Sequence, residues 1–136
     1  MTGWACDTSV ALAALDPQHE AHAVCRRVLV DRRPALAGHA VFETYSVLTR
    51  LPPPLRLTAA QAEQVLRAAF GEGCWLDPAD SSRLRAELGS LGIVGGSVYD
   101  ALVGRAAAVH DRVLLTRDRR AERTYRAVGV AYEVVG

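Results

Sequence analysis

The chain has 136 residues, enough for one ordinary domain and too few for a second comparable core, so a single domain over residues 1–136 is expected. Half of the residues are hydrophobic and 23% are charged, which excludes the low-hydrophobicity composition of a disordered chain. A net charge of +1 removes bulk basicity as an argument for nucleic-acid binding.

In chain order, residues 4–6 form a short apolar run that ends at Asp7, and TSVALAAL behind it has the apolar content of a helix capped by Asp or Thr. Pro17 breaks that segment. Residues 19–31 then carry Ala21, Val24, Cys25, Val28 and Leu29 at helical spacing and read as an amphipathic helix stopped by Pro34. A short strand over 35–37 and a helix over 39–51 follow, the latter halted by the prolines at 52–54. Thr58 caps the helix TAAQAEQVLRAAF, which Gly71 and Gly73 close. Beyond it the pattern gives a strand over 74–76, a helix over 81–91 and a longer helix over 97–110 after Gly95-Gly96. The chain ends with an apolar strand over 113–115, a helix over 118–128 and a strand over 130–135.

Short apolar strands alternating with helices predict an α/β fold, with a mainly parallel sheet covered by helices on both faces. Ligands of such folds sit in a crevice outside the carboxyl ends of the strands, so residues just after strands matter most. No window approaches the roughly 18 uninterrupted apolar residues of a membrane span. MTGWACDTSV lacks the basic segment and apolar run of a secretory signal, so a soluble, cytoplasmic protein is expected. Cys6, Cys25 and Cys74 form no CxxC pair and have no His at ligand spacing, so they are expected to be buried thiols in a reducing compartment.

Asp7 and Asp118 each follow a predicted strand and open a helix, which in a parallel sheet brings both carboxylates to one crevice. Asp100 and Glu43 lie in the first turns of their helices. Each acid has a local explanation: Asp7 and Asp118 as N-caps, Ser97-x-x-Asp100 as a capping box, and Glu43 as a charge favoured by the helix dipole. On a helical wheel Glu43 lies near Ser46 and Arg50, on a solvated face. Taken together, four clustered carboxylates repel one another and call for a cation. An all-oxygen donor set suits Mg²⁺ or Mn²⁺, and with it phosphate chemistry, in which one ion, or a pair roughly 3.5–4 Å apart, activates water. The hydroxyls of Ser9 and Thr116 are placed to orient this shell.

The ordered set Asp7-Thr8-Ser9, Glu43 heading E-x-x-x-V-L-x-R-L, Tyr99-Asp100-Ala101 and Leu115-Thr116-x-Asp118 resembles the PIN-domain ribonucleases, specifically VapC-type toxins of bacterial type II toxin-antitoxin pairs. The likeness spans residues 4–135. It implies a three-layer α/β/α sandwich and Mg²⁺- or Mn²⁺-dependent endonucleolytic cleavage of RNA to a 5′-phosphate and a 3′-hydroxyl. By the family pattern Asp7, Glu43, Asp100 and Asp118 form the catalytic, metal-binding acids, with Ser9 and Thr116 in support. It also implies a homodimer, and a VapB-type antitoxin whose C-terminal segment fills the catalytic groove. The chain departs from the pattern at Pro52-Pro53-Pro54 and at the Asp111-Arg112 turn.

All 16 basic residues are Arg, which reflects codon composition of the source genome in part. Six of them lie between Arg112 and Arg126, against Asp118 and Glu122, so this segment is locally basic. Arg117, Arg119 and Arg120 flank Asp118 and read equally as phosphate contacts or as a solvated face paired with Glu122; Arg117 and Arg120 are the candidates for RNA binding. His19 and His22 have no third ligand nearby and read as surface or packing residues. Trp4 and Trp75 sit in strand-like apolar runs and read as core, and an aromatic content of 6% argues against a base-stacking platform that would include Tyr99.

Two other functions fit parts of the pattern. A non-cleaving RNA- or peptide-binding module of the same fold leaves the acids unexplained. A haloacid-dehalogenase-type phosphatase requires a second Asp two residues after Asp7, where Ser9 stands. A dinucleotide site lacks its G-x-G-x-x-G after the first strand.

Overall fold

The structure, a computed structural model, describes residues 3–71 and 73–136. The described residues form four strands and seven α-helices: β1 Gly3–Cys6, α1 Thr8–Leu15, α2 His22–Arg32, β2 Ala35–Leu36, α3 Ala40–Leu48, α4 Ala59–Phe70, α5 Pro78–Glu87, α6 Ser97–Val109, β3 Arg112–Thr116, α7 Glu122–Ala127 and β4 Tyr132–Val134. A 3-10 turn, Arg119–Ala121, leads into α7.

All strand pairings are parallel, in the order β2-β1-β3-β4. Cys6 sits opposite both Leu36 and Leu115, and all three are buried, as a parallel sheet covered on both faces requires. The result is the expected three-layer α/β/α sandwich. From β1 the chain passes first to β2 on one side and later to β3 on the other, so the strand order reverses between β1 and β3. The crevice beyond their carboxyl ends is the natural ligand site of such a sheet.

Several expected elements change at their edges. The strand over 74–76 reduces to one parallel bridge between Ala37 and Cys74, because Gly38 turns the chain away with φ +50° while donating its N–H to the Cys74 carbonyl at 2.8 Å. The second helix starts at His22, since Asp16 and His19 hold residues 16–21 in turns through side-chain bonds to Gln18 N and Ala21 N. The third ends at Leu48, where Thr49 turns its hydroxyl onto the Tyr45 carbonyl. The fifth begins earlier, at Pro78, because Asp77 accepts from Asp80 N at 2.7 Å and proline suits the first helical position. The expected helix over 118–128 divides into the 3-10 turn and α7, and the final strand shortens to Tyr132–Val134. No helix among the described residues is long and apolar enough to cross a membrane.

Small side chains set the spacing of the layers. Ala11, Ala13, Ala40, Ala101, Ala106 and Ala107 are fully buried, and the three cysteines are free and buried among them. Gly104 lets α6 pack closely against α7 and the residue that follows it. A Cβ added there lies 2.8 Å from Val128 Cγ2 and 3.0 Å from Tyr125 Cδ1. In an open helix Gly→Ala is stabilising by about 1 kcal/mol, but a rigid core contact this short reverses the sign. Gly104→Ala is expected to lower unfolding free energy by about 1–3 kcal/mol, read by chemical denaturation.

Candidate active site

Cys6 ends β1, and the next residue, Asp7, turns into α1 with extended backbone while its N–H still reaches the Leu115 carbonyl of β3 at 3.2 Å. The side chain is 5% exposed. One carboxylate oxygen, Oδ1, accepts from Ser9 N at 3.0 Å, Ser9 Oγ at 2.5 Å and Val10 N at 3.3 Å. The other, Oδ2, accepts from Thr116 Oγ1 at 2.5 Å and Tyr125 Oη at 2.7 Å. Burial raises the Asp7 pKa, and the donated hydrogen bonds pull it back down.

The supporting hydroxyls in turn fix the next acid. Thr116 Oγ1 accepts from Asp118 N at 3.0 Å, and Ser9 Oγ accepts from Arg117 N at 2.8 Å. Asp118 then caps the 3-10 turn through Arg120 N at 3.0 Å. Asp7, Ser9, Thr116 and Asp118 are therefore one bonded cluster across β1 and β3. Tyr125 completes it, and nothing in its local sequence marks it; the contact joins positions 118 residues apart. Burial and the Asp7 carboxylate both keep its phenol protonated.

Asp100 on α6 and Glu43 on α3 feel the charge of Asp7 but are held differently. Neither caps its helix: the Ser97-x-x-Asp100 box does not form, and Ser97 Oγ instead donates to the Val94 carbonyl at 2.7 Å. The Asp100 pKa is pushed up to about 6, first by burial and then by the negative charges of Asp118, Glu43 and Asp7, with Arg120 opposing. Burial also raises Glu43, with His39 opposing and Asp7 adding to the rise. Glu43 is not simply on a solvated face: its side chain is 40% exposed, lies 3.8 Å from His39 Nε2 and feels the Asp7 charge. All four acids thus share one electrostatic site.

The flanking arginines separate in role. Arg120 Nε lies 3.8 Å from Asp118 Oδ1, with the side chain 96% exposed. Arg119 turns to Glu122 at 3.5 Å, the solvated-face alternative. Arg117 directs its guanidinium to the Val135 carbonyl at 2.9 Å, tying down the C-terminal end of β4. His19 and His22 make only local bonds, to Ala21 N at 3.0 Å and the Ala13 carbonyl at 2.9 Å. Trp4 packs as expected and carries Arg32 at 4.2 Å over its ring, but Trp75 is 46% exposed, a correction to its reading as core. The loss of the strand at 74–76 explains this, because a single bridge leaves Trp75 outside the sheet.

Among the described residues no three Asp, Glu, His or Cys side chains lie close enough together to hold a metal ion by themselves. The donor set is nonetheless one that fits a hard cation: carboxylate oxygens only, two of them uncommitted to capping, in mutual repulsion. Mg²⁺ characteristically takes one or two carboxylates and fills its remaining positions with water and phosphate oxygens. Removing the phenol hydroxyl tests the scaffold beneath this set. Tyr125→Phe is expected to cost about 1.5–3 kcal/mol of stability in urea unfolding, the scale of a hydrogen bond to a buried charge.

Comparisons with known proteins place the chain in a family. The PIN domain family profile matches residues 5–127. Ribonuclease VapC27 of Mycobacterium tuberculosis (strain ATCC 25618 / H37Rv) is 47% identical over 126 residues, covering 93% of this chain and 92% of that protein. Ribonuclease VapC40 of Mycobacterium tuberculosis (strain CDC 1551 / Oshkosh) is 41% identical over 130 residues, covering 95% of this chain and 96% of its own length. The chain belongs to the PIN-domain family and, within it, to the VapC type.

Proposed function

We propose that this chain is a divalent-cation-dependent endoribonuclease, the toxin of a type II toxin-antitoxin pair. The observation that carries the reading is Asp100, an uncapped carboxylate raised to about 6 by burial and by three neighbouring acids. Strongly perturbed carboxylates cluster at functional sites, and like charges brought near one another favour a bound cation. The relatives, both ribonucleases, supply the substrate class.

Asp7, Glu43, Asp100 and Asp118 are the residues that would hold Mg²⁺ or Mn²⁺, Asp7 by exchanging one of its five hydrogen bonds for the ion. The bound ion would lower the pKa of a water and stabilise the leaving oxygen of a phosphodiester. Within the chain, Thr116, Ser9 and Tyr125 fix the Asp7 oxygens, so this ligand is set before the ion arrives. The exposed Arg120 contacts an RNA phosphate beside Asp118 and orients the strand. Arg117, anchored on Val135, acts mainly through its backbone N–H on Ser9. Water adds to phosphorus, the P–O3′ bond breaks and the proton ends on the 3′ oxygen, leaving a 5′-phosphate and a 3′-hydroxyl.

A cavity of about 510 Å³ adjoins this centre, lined by Leu12, Leu48 and Leu51 as well as Ser9, Asp118 and Arg120. Its apolar floor and charged rim suit the C-terminal segment of a VapB-type antitoxin, which would block RNA at Asp118. The toxin is expected to act in the cytoplasm as a homodimer.

Two measurements test the reading. The chain purified free of any partner and incubated with total RNA in Mn²⁺ is expected to give fragments with 5′-phosphate ends, abolished by EDTA and reduced about 100-fold or more by Asp100→Asn. Asp100 is the better target than Asp7, whose substitution disturbs five hydrogen bonds as well as chemistry. Cleavage that persists in EDTA rejects the divalent-cation dependence, whereas RNA of unchanged length rejects the nuclease reading and favours a binding module.

The second measurement concerns the charge itself. The Asp100 pKa is higher in the folded protein than in the unfolded chain, so the unfolded state holds fewer protons and stability falls as pH rises from about 4 through about 6. In EDTA, Asp100→Asn is therefore expected to be more stable than the wild type at pH 8. The gain, on the order of 1 kcal/mol after solvent screening of a half-buried group, vanishes below pH 4. A variant less stable than wild type at pH 8 contradicts the repulsion.

A further inference from the structure

The first turn of α3 presents aromatic rings that the acidic centre does not use. His39 stacks on Tyr99 with ring centroids 4.8 Å apart and planes at 22°, which joins the residue before α3 to the residue before Asp100. Phe42, one turn along α3, is 62% exposed and leans on Trp75 at 5.7 Å. His39 and Phe42 both line a solvent-open cavity of about 290 Å³, which Glu43, Ser46, Val47 and Arg50 complete. Arg50 is exposed, and its guanidinium makes no ion pair among the described residues.

We propose that this cavity is a subsite for one unpaired nucleotide of single-stranded RNA, its base against His39 and Phe42 and a flanking phosphate on Arg50. The inference rests on the nuclease reading and adds where the strand lies: the base enters beside Glu43, and the cut falls at the neighbouring acids. Tyr99 acts as a positioning residue, backing the His39 ring so that a base extends an existing stack. The cavity is large enough for a base and its sugar. A base in a duplex is already stacked on both faces and is not available to these rings, so the subsite selects unpaired RNA. The low aromatic content does not argue against it, because three of the chain's eight Phe, Trp and Tyr residues, Phe42, Trp75 and Tyr99, pack in pairs at or against α3, Tyr99 on His39 and Trp75 on Phe42.

A second copy of this chain is the competing occupant of an exposed aromatic surface. RNA is favoured because Arg50, an exposed cation with no ion pair among the described residues, lines the same cavity as the rings and offers a phosphate contact beside them.

The test uses a short single-stranded RNA carrying 2-aminopurine, mixed with the full chain in EDTA so that no strand is cut. Stacking quenches this fluorophore, so wild type is expected to quench it on binding. Phe42→Ala is expected to weaken binding about 5- to 100-fold and to abolish the quench, with Phe42→Trp restoring both. Arg50→Ala is expected to reduce the slope of log affinity against log salt by about 0.7. A duplex of the same sequence is expected to bind Phe42→Ala and wild type alike. Phe42 and Arg50 are exposed, and unchanged thermal unfolding of the variants excludes misfolding as the cause. Unaltered RNA affinity in Phe42→Ala, in a protein that does cleave RNA in Mn²⁺, overturns the subsite and leaves the nuclease standing. The same result with a shift from dimer to monomer in sedimentation assigns the surface to a second copy. A wild type that neither binds nor cuts RNA overturns both.

Discussion

The buried carboxylate of Asp7 is the constraint on which the rest of the site depends. A charge removed from water at 5% exposure costs several kcal/mol unless its lone pairs are filled, and five donors fill them here. Those donors come from the start of α1, from the end of β3 and from α7. One carboxylate thus ties together the two central strands and a helix near the C-terminus. The parallel register that sets Cys6 opposite Leu115 is what makes this reach possible. A slip of one residue would turn Thr116 to the other face and leave Asp7 without its shortest cross-strand donor.

The four acids divide into two kinds. Asp7 and Asp118 are committed to structure, each accepting backbone N–H groups at a helix or 3-10 start, and the capping explanation for them is correct as far as it goes. Asp100 and Glu43 cap nothing, and burial and like charge raise both. A scaffold of satisfied carboxylates therefore carries two dissatisfied ones. Under the proposed function that division would preorganise an ion site, with the costly desolvation met in advance at Asp7 and the remaining repulsion left for a cation to relieve.

Residues that act through local chemistry were legible in the sequence. Asp7 and Asp118 follow apolar strands, and a βαβ pattern alone places such positions at one sheet edge. The elements that failed did so for tertiary reasons. Residues 74–76 have the composition of a strand, but the left-handed Gly38 limits them to one bridge, and Trp75 stays at the surface. The wheel put Glu43 with Ser46 and Arg50, which is geometrically right; all three line the His39–Phe42 cavity, so the polar face of α3 is the face toward the site. Tyr125 had no signal at all, since an aromatic residue on a short amphipathic helix is ordinarily core, and only the fold reveals the acceptor for its hydroxyl.

Helix α6 links these features mechanically. Asp100 lies in its first turn, and Gly104 follows four residues later on the same face, where its missing side chain admits the Tyr125 ring. The depth at which Tyr125 sits against α6 fixes the hydroxyl that reaches Asp7, while the first turn of α6 fixes Asp100 against Asp118. The distance between a committed acid and an uncommitted one is therefore set by the packing of two helices through a glycine. Alanines at 101, 106 and 107 keep the remainder of that helix equally close to its neighbours. A close-packed interior transmits a displacement without absorbing it, so bulk added along α6 moves the acids relative to one another. Small residues on α6 are in this sense part of the acidic centre, though none of them carries a charge or touches a substrate.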